Sequence, residues 1–186
     1  MWEKQIHADQ IGFVGGKWIQ QHTITLQAAL ASFKDNKKGG CLFIDLKNAY
    51  PTMRFNWLKK AVEDRGGQSM RKLVNMMLGG KARVLYKGRI GKSFRIKRGV
   101  KQGDVASAFL FNLGLDPILK EIPVKGIELF GNHYKLLAYA DDLIVFVEDE
   151  KELQAVKEYF DKLGFYSGLY VSDVKTLFVT VVLWKQ

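Results

Sequence analysis

Tyr139-Ala140-Asp141-Asp142 lies between two apolar runs, Tyr134–Ala138 and Leu143–Val147, and its reading decides the fold. Both runs are short and rich in side chains that suit a pleated sheet, so the segment predicts a β-hairpin with two carboxylates at its tip. Aspartate is a favoured turn residue, and a solvated turn would account for the pair taken alone. Two uncompensated charges at the end of a dry sheet are costly, however, and a divalent cation would offset them. A third carboxylate strengthens that second reading. Cys41-Leu42-Phe43-Ile44 is a short apolar strand that follows Gly39-Gly40 and runs straight into Asp45. As a helix cap or an ion-pair partner Asp45 would be ordinary. Set beside the hairpin, the same strand would deliver Asp45 to Asp141 and Asp142. Oxygen-only ligands suit Mg²⁺ or Mn²⁺ rather than zinc. Two such ions roughly 3.5–4 Å apart lower the pKa of an attacking hydroxyl and stabilise an in-line phosphoryl displacement. The cluster therefore predicts phosphoryl transfer.

Composition points the same way. The 186 residues suit one domain with a sizeable core, and 47% hydrophobic content with 12% aromatics argues against disorder. A net charge of +10 favours a polyanionic partner. Much of the excess falls in one interval that includes Arg83, Lys87, Arg89, Lys92, Arg95, Lys97, Arg98 and Lys101, which predicts a surface that follows phosphates. The single cysteine, Cys41, has no internal disulfide partner, which fits an intracellular, reducing compartment. No apolar run is long enough to span a bilayer, and the three histidines lack ligand spacing.

Four blocks, in order, resemble the palm of reverse transcriptases of the non-LTR (LINE-type) retrotransposons. They are Phe43-Ile44-Asp45-Leu46-Lys47-Asn48-Ala49-Tyr50; Arg98-Gly99-Val100-Lys101-Gln102-Gly103-Asp104 with Leu110-Phe111-Asn112-Leu113; Tyr139-Ala140-Asp141-Asp142; and Gly168-Leu169-Tyr170-Val171-Ser172 with Lys175-Thr176. Gln10-Ile11-Gly12-Phe13 is similar to a segment that precedes the palm in those enzymes. The resemblance implies RNA-directed DNA polymerisation with two Mg²⁺ (or Mn²⁺) ions, an RNA template, a DNA primer and deoxynucleotides. It implies that Asp45, Asp141 and the Leu46 carbonyl bind metal with Asp142 in support, and that Lys175 protonates or neutralises the leaving pyrophosphate. Tyr50 would be a steric gate against the ribose 2′-hydroxyl. Gln102, Gly103 and Tyr139 would line the nucleotide pocket. A nuclear or ribonucleoprotein location would follow for a mobile-element enzyme. The alternatives are a relic domain that only binds RNA, an RNA-dependent RNA polymerase, and an intron maturase palm.

The expected fold is α+β: a palm-like antiparallel sheet with helices packed on one face. Helices are predicted at Trp18–Phe33, Arg54–Arg65, Ser69–Leu78, Val105–Leu119 (capped by Asp104) and Lys151–Leu163. Strands Arg83–Tyr86 and Ser93–Lys97 should flank a turn at Gly88–Gly91, and Leu177–Leu183 should be a further strand. Some positions depart from the family pattern. Pro51 stands where Asp usually follows the gate aromatic and could tilt Tyr50. Val105-Ala106-Ser107-Ala108 replaces Pro-Leu-Ser-Pro, which should let the helix start earlier. Ser172 replaces Asn. Residues 1–186 are expected to form one palm unit with partial fingers, lacking the N-terminal finger clamp and the C-terminal thumb, and so to extend primers poorly alone.

Overall fold

The computed structural model describes residues 6–104 and 106–180. In chain order the elements are α1 (Ile19–Asn36), β1 (Gly40–Ile44), α2 (Ala49–Thr52), α3 (Phe55–Met77), β2 (Lys81–Ala82), β3 (Leu85–Tyr86), β4 (Arg89–Ile90) and β5 (Phe94–Arg95). They continue with α4 (Ser107–Lys120), β6 (Ile127–Leu129), β7 (Asn132–Tyr134), β8 (Leu136–Tyr139), β9 (Asp142–Val147), α5 (Glu150–Ser167) and β10 (Leu177–Thr180). The main sheet has strand order β10-β1-β9-β8, and every neighbouring pair is antiparallel.

Strand alternation sorts the sheet into two apolar faces. Leu42, Ile44, Leu136, Ala138, Leu143 and Val145 join a core built with α3, α4 and α5. Cys41, Leu137 and Phe146 face the other way, against Ala29 and Phe33 of α1. The α+β class and the antiparallel sheet are as expected, and three long helices share one face. Helix α1 covers the opposite face, because β1 and β9 carry apolar residues at both parities. Helix α4 is almost wholly buried, as its all-round apolar sequence predicts.

Several boundaries differ from the sequence reading, each for a physical reason. The two helices expected on either side of Gly66-Gly67 form one element, interrupted only at Gly67 (φ 64°, ψ −168°). Helix α4 begins at Ser107 instead of Val105. The Asp104 carboxylate accepts from the Ala106 N–H (2.9 Å) and its carbonyl accepts from the Ser107 N–H (3.0 Å), so Asp104 closes a turn ahead of the helix. Val105 lies outside the described residues, as do residues 181–183 of the last expected strand. Helix α5 runs through Gly164 to Ser167, because Gly164 packs directly against the Tyr170 ring and Gly168 ends the helix instead. An added Cβ at Gly164 would sit 2.6 Å from that ring.

The basic interval forms a narrow arm. Lys81–Ala82 pairs with Phe94–Arg95, and Leu85–Tyr86 pairs with Arg89–Ile90. The turn is Lys87-Gly88, with positive φ at both residues, rather than Gly88–Gly91. Between the two ladders the return strand has one residue more than its partner, a bulge that twists the arm. A second small hairpin, β6–β7, was hidden in the sequence because Tyr134 reads as part of the following strand.

Candidate active site

Antiparallel register brings the acids to one end of the sheet. Ile44 pairs with Leu143 and Tyr139 pairs with Asp142. One step beyond Ile44, Asp45 stands opposite Asp142 along the same register. The carboxylates feel one another: Asp142 is raised above the usual carboxylate range by burial, then by the charge of Asp141, then by that of Asp45. Asp45 also meets Lys175, with Nζ 3.7 Å from Oδ1.

Leu46 is held by its neighbours. The Ser172 N–H donates to the Asp45 carbonyl (2.8 Å) and the Lys47 N–H to the Tyr170 carbonyl (2.7 Å). These bonds frame an antiparallel bridge between Leu46 and Val171. In such a non-hydrogen-bonded pair the central residue directs its own amide and carbonyl away from its partner, here toward the hairpin side. The Gly168–Ser172 block thus serves as the splint for the metal-binding strand expected from the sequence.

Tyr50 sits on the short helix α2, where Pro51 occupies a first-turn position whose N–H has no intrahelical acceptor. The proline is therefore accommodated. The Tyr50 ring stacks on Phe111 of α4, with centroids 4.5 Å apart and planes at 8°. Burial and the nearby charge of Asp141 push its phenol above the ordinary value. An open cleft of about 500 Å³ is lined by Tyr50, Asp141, Phe13, Lys101, Gln102 and Gly103. Gln102 and Gly103, expected from the sequence to line a nucleotide pocket, thus share one cavity with Tyr50 and Asp141. Tyr139 lies on the other side of the turn, partly exposed, with its ring 6.2 Å from Phe13.

The eight basic residues named from the sequence are all exposed. Lys101 lines the cleft, and Arg98 bridges to Arg54 beside it. Arg83, Lys87, Arg89, Lys92 and Arg95 lie along the arm with Val84, Leu85, Tyr86 and Ile90 exposed among them.

Two features of the site were not assigned from the sequence. Gln10, fully buried, binds the Asp-Asp turn through its side chain. Asn112 donates to the Gly12 carbonyl (2.7 Å) from α4. The signal was present, since Gln10-Ile11-Gly12-Phe13 and Leu110-Phe111-Asn112-Leu113 both stood out, but nothing in the sequence said that they meet.

The acids at this end of the sheet, Asp45, Asp141 and Asp142, offer oxygen donors, which suit a hard divalent cation. Among the described residues no group of three His, Cys, Asp and Glu side chains is arranged to hold a metal ion as it stands. The acids share a sheet end and a common repulsion without closing on one another. Their donor chemistry fits the ions; their side-chain arrangement is open. No helix among the described residues is long and apolar enough to cross a membrane.

Comparison with known proteins gives the family and the fold. A family model described as reverse transcriptase (RNA-dependent DNA polymerase) matches residues 1–185. The retrovirus-related Pol polyprotein of the type-1 retrotransposable element R2 from Nasonia vitripennis is 27% identical over 150 residues, covering 78% of this chain and 15% of that protein. The corresponding protein of the type-2 element R2DM from Drosophila melanogaster is 37% identical over 83 residues, 44% of this chain and 8% of its own length. That from Popillia japonica is 26% identical over 158 residues, 78% of this chain and 22% of its length. The chain thus spans less than a quarter of each of these relatives. Among solved structures, apo telomerase from Candida tropicalis, truncated from its C-terminal domain, superposes with TM-score 0.68 at 18% identity, covering 100% of this chain and 39% of that one. Telomerase from Candida albicans, in complex with a fragment of telomeric RNA, gives TM-score 0.68 at 13% identity, covering 95% and 32%. At such identities the likeness concerns the fold. With the family matched across nearly its whole length and the acids gathered at one end of a palm-type sheet, the chain belongs to the reverse transcriptase family.

Proposed function

We propose that this chain is the palm of a retroelement polymerase that extends a primer 3′-hydroxyl with deoxynucleotides on an RNA template. The observation that carries the proposal is the register: Ile44 against Leu143 and Tyr139 against Asp142, which sets Asp45 beside the turn acids. Asp45, Asp141 and the Leu46 carbonyl would hold two Mg²⁺ or Mn²⁺ ions, with Asp142 in support. When bound, such ions supply a more acidic attacking hydroxyl and charge stabilisation at the phosphorus. The chain's own side chains supply the rest. Lys175, paired with Asp45, would donate a proton to, or neutralise, the leaving pyrophosphate. Gln102, Gly103 and Tyr139 border the space for the incoming nucleotide. In a full-length polyprotein this unit would work inside the cell, in a nuclear or ribonucleoprotein setting.

Primer extension on an RNA template with Mg²⁺ or Mn²⁺ tests the proposal directly. Extension that depends on RNA template and deoxynucleotides supports it. RNA binding without extension, unchanged by Asp141→Asn and by metal removal, would favour a domain that only binds RNA.

The steric gate makes its own prediction. Tyr50 is braced by Phe111, so its ring has little room to yield to a 2′-hydroxyl. Tyr50→Val is expected to improve ribonucleotide use relative to deoxynucleotide by roughly tenfold or more, the scale of one removed steric contact in a pocket. Single-turnover competition between the two nucleotides reads this ratio. Equal discrimination in wild type and variant would reduce Tyr50 to a packing residue.

The arm carries a second expectation. Charged groups that displace counterions from single-stranded RNA each contribute a slope of roughly −0.7 in log K against log salt. The triple change Lys87→Gln, Arg89→Gln, Lys92→Gln should therefore make the measured slope shallower by about 2. An unaltered slope in fluorescence-anisotropy titrations would remove the arm from the RNA interface.

A further inference from the structure

The turn that bears the acids is strained, and the strain has a visible support. Ala140 has φ 55°, while Asp141 does not share the positive angle. Positive φ at the first central residue only is the pattern of a II′ turn, which prefers glycine there. An alanine at positive φ is strained and persists only where its surroundings hold it.

Gln10 is what holds it. Its Oε1 accepts from the Ala140 N–H (2.9 Å) and from the Gly12 N–H (2.9 Å). Its Nε2 donates to the Ala140 carbonyl (3.1 Å). The side chain thus satisfies both peptide groups of the one residue that turns the chain into Asp141. Backbone bonds dock the same segment along β8: the Ile11 N–H donates to the Ala138 carbonyl (3.0 Å), and the Ala138 N–H to the Asp9 carbonyl (3.0 Å). Gly12 lies so close that an added Cβ would stand 2.3 Å from the Ala140 nitrogen. Asn112 ties the segment to α4 through the Gly12 carbonyl (2.7 Å), and its Oδ1 is buried without a hydrogen-bond partner among the described residues. Phe13, just beyond, reaches the cleft that contains Asp141 and Tyr50.

We infer that Gln10 is a positioning residue: it latches Ala140 in the left-handed conformation and thereby sets the direction in which Asp141 and Asp142 present their carboxylates. The inference rests on the reading of those acids as cation ligands. A latch of this kind explains how alanine can occupy a turn position that glycine would fill without help. It also links the nucleotide cleft, through Gly12 and Asn112, to the acids.

The test is Gln10→Leu, which keeps the volume and deletes all three hydrogen bonds. Mn²⁺ affinity is read by electron paramagnetic resonance, with Asp141→Asn as the blank. The Ala140 backbone conformation is read from its carbon chemical shifts without metal. In Gln10→Leu the Mn²⁺ dissociation constant should rise about tenfold and the Ala140 shifts should leave the left-handed range. Adding Ala140→Gly should recover most of the affinity, because glycine adopts the turn without a latch. Phe33→Leu, a core change on the opposite face of the sheet, should lower the melting temperature without altering Mn²⁺ affinity. Wild-type affinity and unmoved Ala140 shifts in Gln10→Leu would overturn the latch. If the wild type binds no more Mn²⁺ than Asp141→Asn, the metal reading falls, and the Ala140 shifts in Gln10→Leu alone decide the latch: moved they sustain it, unmoved they overturn it.

Discussion

Asp141→Asn is expected to cut primer extension by at least ~10³-fold while leaving the fold intact. The amide keeps the shape of the carboxylate but removes its charge, so it cannot neutralise a hard cation at the turn. Loss of metal-assisted stabilisation of the transition state at this scale is about 4 kcal/mol at the barrier. Asp45→Asn should behave alike, because register sets Asp45 beside the same turn. Stability gives the opposite sign. The charge of Asp141 helps to raise Asp142, after burial and ahead of Asp45. Removing that charge relieves a repulsion, so the unfolding midpoint should stay level or rise slightly. In Asp141→Asn the Asp142 carboxyl should also ionise at lower pH than in the wild type, which carboxyl-carbon NMR titration reads. A variant that extends primers within a few-fold of wild type would end the two-ion proposal.

The second large effect is structural. Asp116 of α4 has no exposed surface, and the guanidinium of Arg65 on α3 is bonded to it. The Lys120 ammonium lies 2.8 Å away, one turn on, and the His7 N–H also donates to this carboxylate. Arg65 further donates to the Ala61 carbonyl at 2.6 Å. Arg65→Met would leave a buried carboxylate without its main partner. Breaking a buried pair from one side costs about 3–5 kcal/mol, a large share of the roughly 5–15 kcal/mol that holds a domain together. The lower end is expected, since Lys120 remains in reach. Urea unfolding should register the loss, and the double change Arg65→Met with Asp116→Leu should recover most of it. A single variant within about 1 kcal/mol of wild type would show that the pair contributes little.

Much of this site was legible because its signals are local. Apolar runs of strand length bounded by turn residues marked β1 and the β8–β9 hairpin, and the acids stood at their ends. The all-round apolar character of the segment from Ser107 onward marked a buried helix, though Asp104 delayed its start through a turn of its own. Spacing marked the amphipathic helix α5, but not its end, which the left-handed Gly168 sets. The β6–β7 hairpin escaped notice because Tyr134 read as the start of the following strand, although Lys135 separates the two.

Local pattern by itself marked most of the helices, the strands of the main sheet and the antiparallel α+β class, and it singled out three acids as candidates; the family came from the resemblance of whole motifs. Side-chain periods of two and 3.6 residues are written into adjacent positions, so they can be read without knowing what lies nearby in space. Tertiary structure alone decided that α1 covers the second face of the sheet, that Arg65 neutralises Asp116, and that Gln10 grips the turn at Ala140. Those pairings depend on strand register and on which helix crosses which, and a polar side chain carries no local mark of the distant group that will satisfy it.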